Sequence, residues 1–311
     1  MAAASDYSFS HLIRTHYPAL RRRAPNSKAL PIFGSASEIR AAASEDYIDD
    51  GWGSFGNEAF QDRKRQIAHL DDAGVVASYG TLEPLGCGVY GCVYLTNDPR
   101  WVFKVTTDIS EAHMVAILET LPGKYPGLVA YRGVYEIPNV PRRTFVLWRE
   151  AADLVGLNAA AAFFADHPRY GISPFAMGDT EMLLYAVLTI GRDMFSIAER
   201  WAGEGKSHLV ARAYTMAKGG AAPPTGSGKL GVYMSLLQAY ESTCQKMLKD
   251  PLLQLVGKSL LDLFEVGITL NDLNANNVGI TARSSPFLVV TDPGHVIPLD
   301  NRYQSVAPRS L

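Results

Sequence analysis

A chain of 311 residues, 47% apolar and 19% charged, has the make-up of an ordinary globular protein, with length for about two domains or one two-lobed unit. A net charge of −2 gives no global case for nucleic acid or an anionic membrane, and three cysteines suit a reducing compartment better than a disulfide framework. Met1 to His16 lacks an apolar leader core, and runs such as Met182 to Ile190 are too short to span a bilayer, so a cytoplasmic protein is expected.

Residues 1–75 read as an N-terminal extension. Helical periodicity there is patchy, and Arg21, Arg22, Arg23 and Lys28 read as a solvated basic face or loose arm, with contact to phosphates or an acidic partner as the alternative. Asp46 to Phe60 reads as loop with aromatic anchors, and Glu58 to Leu70 as a helix. There is no internal repeat and no low-complexity tract.

The stretch Leu85-Gly86-Cys87-Gly88-Val89-Tyr90-Gly91-Cys92-Val93-Tyr94 spaces three glycines as G-x-G-x-x-G between strand-like residues. A dinucleotide-binding turn would need a helix next. The residues that follow are β-branched and aromatic, so a second strand is predicted, then a turn at Asn97-Asp98-Pro99 and a third strand, Trp101 to Val105. Without Cβ atoms, Gly86, Gly88 and Gly91 let backbone approach phosphates closely. Alternation along the third strand puts Val102 and Lys104 on one face and Trp101, Phe103 and Val105 on the other. Cys87 and Cys92 are expected to face each other across the hairpin as small residues filling a tight turn, with a redox switch as the alternative.

Asp108 to Leu121 has the pattern of an amphipathic helix. Asp108 or Ser110 serves as N-cap, Met114, Ile117, Leu118 and Leu121 form the apolar stripe, and Pro122-Gly123 ends it. Glu111, or failing that Glu119, is the glutamate expected to hold Lys104. Thr144 to Trp148 is predicted as a strand running into a hinge at Arg149-Glu150-Ala151. The stretch 151–265 carries helical patterns at about 181–202, 206–217 and 231–248 around a Pro/Gly-rich break from Gly219 to Gly228. Gly226-Ser227-Gly228-Lys229 lacks the first glycine of a P-loop at the required offset and is rejected. The histidines and cysteines show no metal-ligand spacing, so no structural zinc is expected, and Cys244 reads as helix packing.

A helix from Leu255 to Val266 ends at Gly267 and leads into Leu270-Asn271-Asp272-Leu273-Asn274-Ala275-Asn276-Asn277. The apolar strand Phe287 to Thr291 then delivers Asp292-Pro293-Gly294. Asp272 and Asn277 have D-x-x-x-x-N spacing, and Asp292 opens a D-x-G. A carboxylate with an amide carbonyl suits a hard cation such as Mg²⁺, which favours oxygen ligands.

Glycines, lysine, helix glutamate, D-x-x-x-x-N and D-x-G occur here in the order that characterises the protein kinase superfamily, which the region 81–298 resembles. Its short form, with Thr291-Asp292-Pro293, is similar to the compact early Ser/Thr protein kinases of lytic bacteriophages. The resemblance implies an α+β, two-lobed fold: a small antiparallel N-lobe sheet with one helix, and a mostly helical C-lobe with a large insertion. The corresponding segments are 76–150 for the N-lobe, 151–265 for the insertion and C-lobe, and 266–311 for the catalytic loop and metal-binding segment. It implies phosphoryl transfer from ATP with Mg²⁺ to Ser or Thr of protein substrates, host bacterial proteins and the enzyme itself among them, in the host cytoplasm. Asp272 would orient or accept the hydroxyl proton, and Asn277 and Asp292 would hold the metal. Gly86, Gly88, Gly91 and Lys104 would cradle phosphate, with Glu111 holding Lys104. Val93 and Val102 would roof the adenine, and Trp148 and Glu150 would bond it at the hinge.

The sequence also departs from that pattern. Leu270-Asn271 replaces His-Arg, so no arginine precedes Asp272, and the phosphate-reading role that arginine would have is lost. Pro293 stands where phenylalanine is usual, and His295 to Leu311 leaves no room for a peptide-binding segment. The insertion 151–265 is therefore expected to select the acceptor. An insertion at this point is also a property of aminoglycoside-type small-molecule kinases, which form one rival reading. A pseudokinase binding module is the other.

Overall fold

The computed structural model describes residues 83–87, 91–95, 100–121, 123–136, 143, 145–224, 228–284, 286–294, 296–299, 303 and 306–310. The N-terminal extension with the helix expected at 58–70, Gly88 and the turn expected at 97–99 lie outside them. The chain is α+β and mostly helical, with small, largely antiparallel sheets. Its residues gather into two compact units.

Unit 1 is built on a sheet of order β1-β2-β3-β5-β4-β11. The strands are β1 Glu83–Cys87, β2 Gly91–Leu95, β3 Trp101–Thr106, β4 Tyr131–Glu136, β5 Phe145–Glu150 and β11 Arg309–Ser310. Neighbours pair antiparallel except β11, which runs parallel to β4. The β-branched and aromatic residues of β3 suit a central strand, and Val102 to Thr106 are all buried. Helix α1, Ile109–Thr120, follows β3 directly. Its N-cap is Asp108, whose Oδ1 accepts from the amides of Ser110 at 2.8 Å and Glu111 at 3.1 Å. The expected narrow apolar stripe is not what forms. Glu111, Ala112, Met114, Val115, Ala116 and Ile117 are all buried, so most of the helix circumference is enclosed.

Unit 2 holds the remaining helices: α2 Leu157–Asp166, α3 Pro174–Gly203, α4 His208–Lys218, α5 Lys229–Met247 and α6 Gln254–Glu265. Helix α3 starts earlier than its apolar pattern, because Ser173 caps it by accepting from the Phe175 amide and Pro174 occupies the first turn. Trp201 of α3 and Tyr233 of α5 meet at 5.1 Å between ring centroids in the core. Two small sheets complete the unit: β7 Ile268–Leu270 with β10 Val296–Pro298, and β6 Leu154–Val155 with β8 Val278–Ile280 and β9 Val289–Val290. The strand predicted over 287–291 is reduced to β9, because the Phe287 amide closes a turn on the Ser284 carbonyl. Unit 1 ends its middle segment at Ala151, and unit 2 also takes in Thr120–Ala130. That segment is tied down by Gly127, whose amide donates to Ser259 Oγ at 2.8 Å and where a Cβ would lie 2.1 Å from the Leu255 carbonyl oxygen. Among the described residues no helix is long and apolar enough to cross a membrane.

Candidate functional site

The residues singled out in the sequence fall into two clusters, one in each unit. In unit 1 the register places Gly86 opposite Val93, Val93 opposite Lys104 and Lys104 opposite Leu147, one row across four strands. A bulge between Pro84 and Gly86 sets that row. Val102 lies two residues from Lys104 on the same face, opposite Arg149. Val93 stands between Gly86 and Lys104 in that row, and Gly91 pairs with Thr106.

Lys104 Nζ lies 2.7 Å from Glu111 Oε2, with the lysine side chain 11% exposed and the glutamate fully buried. Of the two glutamates considered, Glu111 is thus the one paired with Lys104, and Glu119 is exposed. The Asp108 cap fixes the first turn of α1, which holds Glu111 in place for that contact.

Trp148 and Glu150 are placed differently from a free hinge. Trp148 pairs with Phe103, so its ring lies on the sheet face opposite to Lys104, 5.9 Å from Phe103 and 5.9 Å from Trp101. The Arg132 guanidinium covers both indoles, at 3.7 Å from Trp101 and 4.6 Å from Trp148. Glu150 pairs with Trp101, and the Ala151 amide donates to the Arg100 carbonyl at 2.8 Å. β5 therefore runs two residues further than its apolar run, through the expected hinge. Cys87 and Cys92 are cross-strand partners in the β1–β2 ladder.

In unit 2, β7 leads into the loop 271–277 and β8 leads out of it. The loop is closed by its own polar groups. Asn277 Nδ2 donates to the Asp272 carbonyl at 2.8 Å and to Asp272 Oδ2 at 3.3 Å, and the Asn276 amide donates to Asn274 Oδ1 at 2.9 Å. The Leu157 amide at the start of α2 donates to the Ala275 carbonyl at 2.7 Å. The Thr291 amide donates to the Asn277 carbonyl at 2.8 Å, which ties the Thr291-Asp292-Pro293-Gly294 segment to the loop. With Nδ2 turned to Asp272, the amide oxygen of Asn277 points the other way, as an acceptor. Asp272 and Asp292 are partly exposed, whereas Asn271 is buried.

Two neighbours of this loop were not foreseen. A Cβ on Gly191 of α3 would lie 2.6 Å from Asn271 Cα and 2.8 Å from its carbonyl oxygen, so helix and loop touch backbone to backbone. The next residue, Arg192, brings its guanidinium to 3.9 Å from Asp272 Oδ1. The available signal was a glycine inside a long helical pattern, which often marks close packing. Below the loop, the buried Tyr240 hydroxyl donates to the Leu270 carbonyl at 3.3 Å and accepts from its amide at 3.2 Å.

Gly279 is likewise obligatory, since a Cβ there would lie 2.2 Å from the Leu154 carbonyl oxygen. No family model matches the chain, and no curated protein matches it.

Proposed function

We propose that the protein transfers the γ-phosphoryl group of ATP to a Ser or Thr hydroxyl of a protein, with itself among the acceptors. The observation that carries this reading is the closed loop 271–277. It presents the Asp272 carboxylate, fixes Asn277 by its amide nitrogen and holds the Asp292 segment through the Thr291 amide. The Lys104–Glu111 pair at 2.7 Å supports it independently.

Phosphoryl transfer asks a protein for positioning and charge neutralisation and for little covalent work. Glu111 holds the Lys104 ammonium on the face it shares with Val93 and Val102, where it can meet phosphate oxygens. Asp272 orients the acceptor hydroxyl and takes its proton. The Asn277 amide oxygen and the Asp292 carboxylate form an oxygen-only donor pair, which fits Mg²⁺. Bound there, the ion would neutralise phosphate charge. The stacking of Trp148 on Phe103, on the face opposite to Lys104, confines any part it plays at the adenine to its backbone.

The test uses γ-labelled ATP with dephosphorylated casein and with the protein alone. Transfer should require Mg²⁺ and stop with chelator. Asp272→Asn should lose roughly 10²–10⁴-fold in rate while its ATP affinity stays near that of the wild type. Lys104→Met should lose both affinity and rate. Full transfer by Asp272→Asn would mean the catalytic loop has been misassigned. Transfer by the wild type to a small-molecule panel but not to protein would instead favour an aminoglycoside-type activity.

A further inference from the structure

We infer that Arg192, on α3, is a catalytic residue that contacts the phosphoryl group in flight beside Asp272. This rests on the phosphotransfer reading of the loop and assigns to it a group that the loop itself lacks. Leu270 to Asn277 contains no lysine or arginine, so no cation within the loop faces the acceptor side of Asp272. Charge nevertheless develops there. As the acceptor oxygen forms its bond to the γ-phosphorus, the bond to the bridging oxygen breaks and its electron pair leaves with ADP. The hydroxyl proton passes to Asp272, and negative charge is spread over three phosphoryl oxygens.

The geometry supplies a cation from outside. Arg192 lies 3.9 Å from Asp272 Oδ1 and its side chain is 68% exposed. At that distance and exposure the pair adds little to stability, so a structural role explains the contact poorly. Most of the guanidinium's donors face solvent, and their fork matches phosphoryl oxygens. The backbone that carries it is nonetheless fixed. Arg192 follows Gly191, whose backbone abuts Asn271, and it sits well inside a capped helix spanning Pro174–Gly203. A preorganised donor costs no rearrangement when charge appears.

The experiment measures kcat and KM with γ-labelled ATP·Mg²⁺ and dephosphorylated casein for wild type, Arg192→Ala, Arg192→Lys, Arg200→Ala and Asp272→Asn. Arg200 is a control: it is 67% exposed on the same helix and pairs with Glu204. Arg192→Ala should lower kcat roughly 10²–10³-fold, the range for loss of one preorganised donor, with the ATP KM within about threefold and thermal stability unchanged. Arg192→Lys should keep part of the rate, and added guanidinium ion should restore part of it to Arg192→Ala. Arg200→Ala should match the wild type. The inference is overturned if Arg192→Ala keeps its kcat while Asp272→Asn loses it. It is equally overturned if the loss in Arg192→Ala comes with a fall in stability, ignores guanidinium, or recurs in Arg200→Ala. A wild type that transfers phosphate to no acceptor overturns the phosphotransfer reading itself, and this inference with it.

Discussion

A lysine that is 9% exposed and a glutamate that is fully buried form an arrangement whose cost and benefit nearly cancel. Desolvating two charges is expensive, and their attraction at 2.7 Å offsets that only while both are present. Glu111→Ala takes a buried carboxylate away from the Lys104 ammonium and should destabilise the protein by up to about 3–5 kcal/mol in urea unfolding. Replacing both, as Lys104→Met with Glu111→Leu, should cost far less than the two single changes added together. Glu119→Ala, at an exposed position on the same helix, should change stability by less than about 1 kcal/mol. A Glu111→Ala variant within about 1 kcal/mol of wild type would show that the two charges are not energetically coupled. On the proposed function, substitution of both residues should also abolish ATP binding, so stability and activity should part company in the double variant.

Helix α3 offers a comparison between two glycines on one element. A Cβ at Gly178 meets nothing within 4 Å, whereas one at Gly191 meets Asn271 backbone at 2.6 Å. Gly178→Ala should therefore stabilise by roughly 0.5–1 kcal/mol, through reduced freedom of the unfolded chain. Gly191→Ala must push helix and loop apart and should destabilise by about 1–3 kcal/mol, the range for overpacking. It should also slow transfer by displacing Asp272. Equal melting temperatures for the two variants would disprove the close contact. The same pair shows what the sequence could and could not tell. The period of two on β3 is local, so the shared face of Val102 and Lys104 was readable from alternation alone. The caps at Asp108 and the stop at Gly267, with its φ of 88°, were readable from residue type. The strand β4 was not, because Tyr131-Arg132-Gly133-Val134-Tyr135-Glu136 has too few apolar residues to stand out. β6, at two residues, falls below any periodicity, whereas β9 was readable as the core of the apolar run 287–291. Arg192 lies far from Asp272 in the chain and meets it only through tertiary packing, which no local pattern encodes.

At the scale of the whole molecule, the core of unit 2 encloses groups that ionise only at alkaline pH. Burial pushes the Cys244 thiol well above its ordinary range, and does the same to the Tyr233 and Tyr240 hydroxyls. Each folded-state pKa is raised above its unfolded value, so each group's contribution is fully present below the unfolded pKa and is lost as pH rises beyond it. The unfolded chain releases protons that the folded one keeps, starting near pH 8.5 for cysteine and near 10 for tyrosine. Stability should fall above about pH 8.5, at up to roughly 1.4 kcal/mol per pH unit for each group. Cys244→Ala should remove the first part of that slope, whatever it does to stability at neutral pH. Parallel pH profiles of the urea midpoint for wild type and variant between pH 8 and 10 would refute the assignment.

The strand β11 has a consequence in time. It joins unit 1 by pairing with Tyr135 and Glu136 of β4, yet Pro308 follows all of unit 2 in the chain. During synthesis, β4 can pair with β5 as soon as both have emerged, but its other edge waits while Ala152 to Ala307 are made. At about 5–20 residues per second that wait is on the order of ten to thirty seconds. Throughout it the nascent chain carries an open strand edge, the kind of surface that templates pairing between molecules. The hazard is therefore set by the rate of translation, and it ends only when Arg309 is free of the ribosome.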